Sequence, residues 1–194
     1  MQAVFQQDPN QIAALVLEPM RFEHPTPVFI DTIQSECRRY RPLLIFDEMV
    51  TEFKFHAQGA SKMSGAAANL YCWEKSLANG QSVAAVTGRR DVMNRASNGH
   101  TKKRVFFASS THGAEIPQLA AMMKVLDRIK ADPGMFERNR SNGALLRTNL
   151  DDCISEYGLA DHVRLVADNC HFVVELSRCG DLGTTWQRLS FCRS

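Results

Sequence analysis

The 194-residue chain has no apolar run that approaches the length needed to cross a bilayer. It also lacks a charge excess of either sign. Its 23 Lys+Arg against 21 Asp+Glu leave a net +2, too little to point to nucleic acid or a membrane surface. The one basic cluster, Lys102-Lys103-Arg104, follows polar Ser97 to Thr101 and reads as a solvated loop. Six cysteines (Cys37, Cys72, Cys153, Cys170, Cys179 and Cys192) are scattered, with no CxxC pair and no zinc spacing. Several fall on apolar faces, where a cysteine acts as a small hydrophobe, and a reducing cytoplasm is the expected setting. Met1 to Asp8 shows no basic segment followed by an apolar core, so a secretory signal is not expected there. His112 and Glu115 lack a third ligand and the other histidines are dispersed, so no metal is expected. No internal repeat or low-complexity stretch is present.

What is there is an ordinary globular balance, 44% hydrophobic and 23% charged, enough for one large domain or one large and one small. Ala13 to Leu17 is a short apolar run that predicts a buried strand. Thr26-Pro27 supplies an N-cap and a first-turn proline, and Ile30, Ile33, Cys37 and Tyr40 follow at helical spacing. Leu43 to Phe46 is the next strand. Strand, helix, strand in this compass is a βαβ unit and implies a parallel sheet. Leu70 to Trp73, Val83 to Val86 and Arg104 to Ala108 are further strand candidates, with a short helix near Asp91 to Arg95.

An amphipathic helix begins near Glu115, with Leu119, Met122, Leu126 and Ile129 on one face, and stops at Asp132-Pro133-Gly134. A second helix carries Leu146, Leu150, Ile154 and Tyr157 and closes at Gly158. Val163 to Ala167 and Cys170 to Leu176 read as a hairpin across Asp168-Asn169. The pattern thus changes from parallel α/β to antiparallel α+β, with a boundary expected between 134 and 145. The two domains are set at 1–138 and 139–194.

Two residues carry the chemistry. Asp47 ends the apolar run Leu43-Leu44-Ile45-Phe46, at the place where open α/β sheets put ligands. Lys75 sits on a later turn, after Leu70-Tyr71-Cys72-Trp73 and before Ala78-Asn79-Gly80. Its neighbourhood is partly apolar, and a lysine desolvated there would have a lowered pKa and could act as a Schiff-base nucleophile. Alone, a strand-end aspartate is more often a cap, and most lysines are solvated. Together, a carboxylate for a ring nitrogen and an amine for an aldehyde are what a pyridoxal-phosphate enzyme requires. Four apolar residues followed by Asp47-Glu48 also match the Walker B strand of P-loop ATPases. That reading needs a GxxxxGK[ST] loop, and neither Gly59 to Gly65 nor Gly80 to Gly88 supplies one.

Leu43 to Phe53 (LLIFDEMVTEF), Lys75 in WEKSLANG, Val86 to Met93 (VTGRRDVM) and Ser110 to Glu115 (STHGAE) occur in this order. In order and spacing they resemble the class III aminotransferases, especially the glutamate-1-semialdehyde aminomutase-like branch. The resemblance runs from about Gln11 to at least Leu176. It implies part of a fold type I large domain, an α/β fold with a mostly parallel sheet and flanking helices, plus part of a small α+β domain. It implies pyridoxal 5'-phosphate, or its pyridoxamine form, as cofactor, and amino-group transfer on a small amino, keto or aldehyde substrate in a cytoplasmic homodimer. Asp47 would pair with the pyridinium nitrogen and Met49 would lie against the ring. Lys75 would form the Schiff base and shuttle the proton. Ser110 or Thr111 would hold the phosphate of the neighbouring subunit, although either also suits a helix N-cap before Glu115.

Three positions depart from the family pattern. Glu52 and Glu74 stand where glycine is usual, so each is expected to strain its turn and to bring negative charge near the imine. Ala68-Asn69 replaces a typical Pro-Asp. Family members are about twice as long, so the chain is expected to be a fragment without the upstream phosphate cup. A catalytically incompetent relative that serves as a scaffold or dimerisation partner is the alternative.

Overall fold

The structure, a computed structural model, describes residues 2–7, 11–96, 115–180 and 183–189, with 178–180 and 183–189 as main chain alone. The expected strand Arg104 to Ala108 and the basic cluster lie outside the described residues. The chain divides into two compact units. One comprises Met1–Met20 and Pro25–Asp132, the other Arg21–His24 and Pro133–Ser194.

The first unit opens with α1 (Gln2–Gln7), whose buried Phe5 stacks on Tyr40 at 5.3 Å between centroids. Then β1 (Ala14–Leu17), α2 (Pro27–Tyr40) and β2 (Leu43–Asp47) form the expected βαβ unit, with β1 and β2 parallel. The start of α2 follows the sequence signal. Thr26 Oγ1 accepts the Phe29 N–H at 3.2 Å, with Pro27 in the first turn. Its end is marked by Arg41 at φ 62, whose N–H bonds to the Cys37 carbonyl.

Next, β3 (Leu70–Trp73) pairs parallel to β2. Asn69 sets this register: its side-chain oxygen accepts the Leu44 N–H and its own N–H donates to the Leu44 carbonyl, both at 2.7 Å. Beyond it, β4 (Ala85–Gly88) starts two residues later than expected and runs antiparallel to β3. The sheet order is β1-β2-β3-β4, so it is mixed at one edge. The physical reason is the link from 74 to 84. It contains no helix, and a parallel return requires a long crossover. Short α3 (Arg90–Met93) and α4 (Ile116–Ala131) complete the unit.

Ile30 and Ile33 of α2 pack on Leu44 and Phe46 of β2 with Ala66, and Leu15, Leu17 and Tyr71 close the periphery. Strand alternation puts Leu43, Ile45 and Asp47 on the opposite face. That face is open in the single chain: Val16 is 59% and Val86 50% exposed. Parallel strands are normally covered on both sides.

In the second unit, α5 (Met135–Glu156) precedes a three-stranded antiparallel sheet in the order β5-β6-β7. Its strands are β5 (Val163–Val166), β6 (Val173–Gly180) and β7 (Gly183–Leu189). The helix gives way at Gly158, φ +63. The hairpin is found, but its loop runs from Ala167 to Phe172, longer than the two residues expected. That loop docks on α5. Arg147 donates to the Ala167 and Leu165 carbonyls at 2.6 and 2.8 Å, and a Cβ at Gly143 would lie 2.1 Å from the Asn169 carbonyl oxygen.

Candidate active site

Asp47 ends β2, and its register partner on β3 is Cys72. Lys75 lies two residues beyond the end of β3. Since the two strands are adjacent and parallel, both residues sit at the same carboxyl edge of the sheet. Asp47 is half-buried, and its Oδ1 accepts the Met49 N–H at 3.0 Å. That short turn holds the carboxylate at the strand end and leaves Oδ2 without a protein donor among the described residues. Burial pushes the Cys72 thiol up, and the Asp47 charge adds to the rise. Met49 is half-buried beside Asp47. Lys75 is exposed, so its partly apolar sequence neighbours do not desolvate it in the single chain. Leu77 and Ala78 turn inward instead and leave the lysine outside. Ser110 and Thr111 lie outside the described residues.

Two acids whose roles the sequence did not reveal organise the loops around this edge. Glu48 is fully buried. Its Oε2 accepts Thr51 Oγ1 at 2.5 Å and the Ala60 N–H at 2.8 Å, and its Oε1 accepts the Ser61 N–H at 2.9 Å. It therefore caps the 3-10 turn Ala60–Lys62. Gly59 passes so close, at φ +80, that a Cβ there would fall 2.3 Å from the Glu48 carboxyl carbon.

Glu52, also fully buried, does the same for the lysine turn. Its Oε2 accepts the Glu74 N–H at 2.9 Å, and its Oε1 accepts the N–H groups of Ser76 and of Leu77, the latter at 3.0 Å. Burial raises the Glu52 carboxyl above the usual range. The three N–H groups pull it back and the Glu74 charge pushes it further up. Neither Glu52 nor Glu74 itself has a positive φ, but in the Glu52 turn the left-handed conformation falls on the next residue, Phe53, at φ 51. The sequence carried no signal for either cradle, because the donors are mostly main-chain N–H groups, which no residue type advertises.

A cleft of about 380 Å³ includes Ser61, Lys62, Tyr71, Trp73 and Thr87 in its lining. Tyr71 and Trp73 alternate with Cys72, so these walls belong to the face opposite Asp47.

The model of the family described as aminotransferase class-III matches residues 1–177. The chain belongs to this family. A glutamate-1-semialdehyde 2,1-aminomutase of Thermomicrobium roseum is 32% identical over 167 residues, which cover 84% of this chain and 37% of that protein. Among solved structures, an omega-transaminase from Sphaerobacter thermophilus superposes with a TM-score of 0.79 at 21% identity, over 92% of this chain and 40% of that one. A structure described as a transaminase with PLP bound gives 0.78 at 21% identity, over 89% of this chain and 40% of that one. These likenesses establish a transaminase-type α/β fold for the chain, which spans well under half the length of the relatives it matches.

Proposed function

We propose that this chain forms part of a pyridoxal-phosphate-dependent enzyme that moves amino groups, as a class III aminotransferase or a glutamate-1-semialdehyde aminomutase-like enzyme. The observation that carries the reading is the shared edge: Asp47 ends β2, Lys75 follows the end of the adjacent parallel strand β3 by two residues, and Asp47 keeps one carboxylate oxygen open among the described residues. A protonated pyridine nitrogen fits that open oxygen. Its charge would be favoured there by the opposite charge of the carboxylate.

When bound, the cofactor supplies the electron sink for bonds broken at the substrate carbon. The chain's own residues bind and orient it. Asp47 would hold the ring-nitrogen proton, Met49 would border the ring, and the Lys75 amine would bind the cofactor's aldehyde carbon, with the aldehyde oxygen leaving as water, and would carry the proton at the substrate carbon. The hydroxyl of Ser110 or Thr111 would bind the phosphate of a neighbouring subunit, so the working unit would be a homodimer, and its setting the cytoplasm. The substrate is a small amino, keto or aldehyde compound.

Borohydride reduction of the chain incubated with pyridoxal phosphate, followed by peptide mapping, tests this. Label at Lys75, lost in Lys75→Ala and weakened in Asp47→Ala, is the expected result. Label elsewhere, or equal label in Lys75→Ala, refutes it.

A further inference from the structure

We propose that Glu52 is a positioning residue for Lys75. Its buried carboxylate gathers the N–H groups of Glu74, Ser76 and Leu77 and so fixes the turn from which the lysine projects. The inference rests on the reading of Lys75 as the cofactor-binding amine.

The geometry is particular. The residues immediately before and after Lys75 are both bound to one carboxylate, on its two different oxygens. The Lys75 N–H is not among the donors. The main chain must therefore bend around the carboxylate with Lys75 at the apex. The Leu77 N–H also donates to the Glu74 carbonyl at 3.0 Å, which closes the turn a second time. Leu77 and Ala78, 5% and 3% exposed, pin its far end in the core. The acceptor itself cannot drift, because the Glu52 N–H bonds to the Glu48 carbonyl at 2.7 Å and Glu48 is fixed in its own cradle.

A turn held in this way presents the Lys75 side chain from one main-chain conformation, which favours covalent capture of an aldehyde lodged at the Asp47 edge. A carboxylate suits this task better than an amide. It offers acceptors on both oxygens, whereas glutamine would set an NH2 group against an N–H donor.

The test compares the chain with its Glu52→Gln variant. Two probes are used: pyridoxal phosphate, and 4'-deoxypyridoxine phosphate, which lacks the aldehyde. Borohydride-trapped label at Lys75 is expected to fall at least about tenfold in Glu52→Gln, the factor that one net hydrogen bond represents. Affinity for the deoxy analogue is expected to stay within about twofold, which loss of the fold would not allow. Amide hydrogen exchange at Glu74, Ser76 and Leu77 should quicken by a similar factor while Ile45 and Phe46 are unchanged. In the unmodified chain, Ser76 should exchange more slowly than Lys75, a comparison that stands even if the variant fails to fold.

Equal labelling of Lys75 in both proteins overturns the positioning role and leaves Lys75 as the cofactor amine. So does exchange at Ser76 as fast as at Lys75. An unmodified chain without label at Lys75, whose three amides still quicken in the variant, overturns both readings and reduces Glu52 to a structural cap.

Discussion

Replacing Glu48 by alanine should cost this chain about 3 kcal/mol of stability. The figure follows from what the carboxylate leaves behind. Ala60 and Ser61, 3% and 2% exposed, would lose the acceptor of their N–H groups. Each stranded buried donor costs about 1–3 kcal/mol, so the pair costs about 2–6 kcal/mol. The Thr51 hydroxyl, 1% exposed, also loses its acceptor and adds to this. Against this stands the relief of no longer burying a charge, which brings the net down to about 3 kcal/mol. Glu48→Gln keeps one oxygen and should cost about half as much. The assay is urea unfolding followed by circular dichroism, read as a shift in midpoint at constant slope, together with amide exchange at Ala60 and Ser61. A Glu48→Ala cost below about 1 kcal/mol, with unchanged exchange at those two amides, would refute the argument that this carboxylate holds the 59–61 turn.

Gly143→Ala in α5 should destabilise the second unit by about 1–3 kcal/mol, because the new Cβ meets the main-chain oxygen of Asn169. Helix propensity alone would give a gain of about 1 kcal/mol, so the sign of the change in a thermal or urea melt decides between the two. Asp168 lies 2.9 Å from His24 Nε2. Burial pushes its carboxyl up, but the Cys170 N–H and His24 outweigh that and leave it below the usual aspartate range. A carboxyl lowered in the folded state stabilises above its unfolded pKa, about 3.9, and that contribution is lost as pH falls through the lower native value. The pair is partly solvated, so its share is at most about 1 kcal/mol. Asp168→Asn should therefore flatten the acid limb of a plot of stability against pH below about pH 4. An identical acid limb in the variant would refute the assignment.

The βαβ unit was legible because its signals are local. Thr26-Pro27 starts α2, and the spacing of Ile30, Ile33 and Cys37 marks its buried side. The direction of β4 was not, because alternation of apolar residues is the same in either direction. Only the helix-free link from 74 to 84 carries that information. At the site, the edge shared by Asp47 and Lys75 follows from reading two strands as parallel neighbours. The exposure of Lys75 does not follow, since apolar neighbours in sequence can turn inward and leave a lysine outside, as Leu77 and Ala78 do. The cradles of Glu48 and Glu52 were illegible for a different reason. Their donors are main-chain N–H groups, which every residue but proline possesses and no residue type advertises.

Anchorage through the main chain has a consequence for how this edge can vary. The Glu52 carboxylate grips the backbone at positions 74, 76 and 77, not the side chains there. The side chains at 74 and 76 are thereby released from any duty of holding the loop. A change of charge at 74 or of size at 76 can retune the surroundings of the amine while its point of attachment stays put. Only proline, which has no N–H to offer, is barred from these positions.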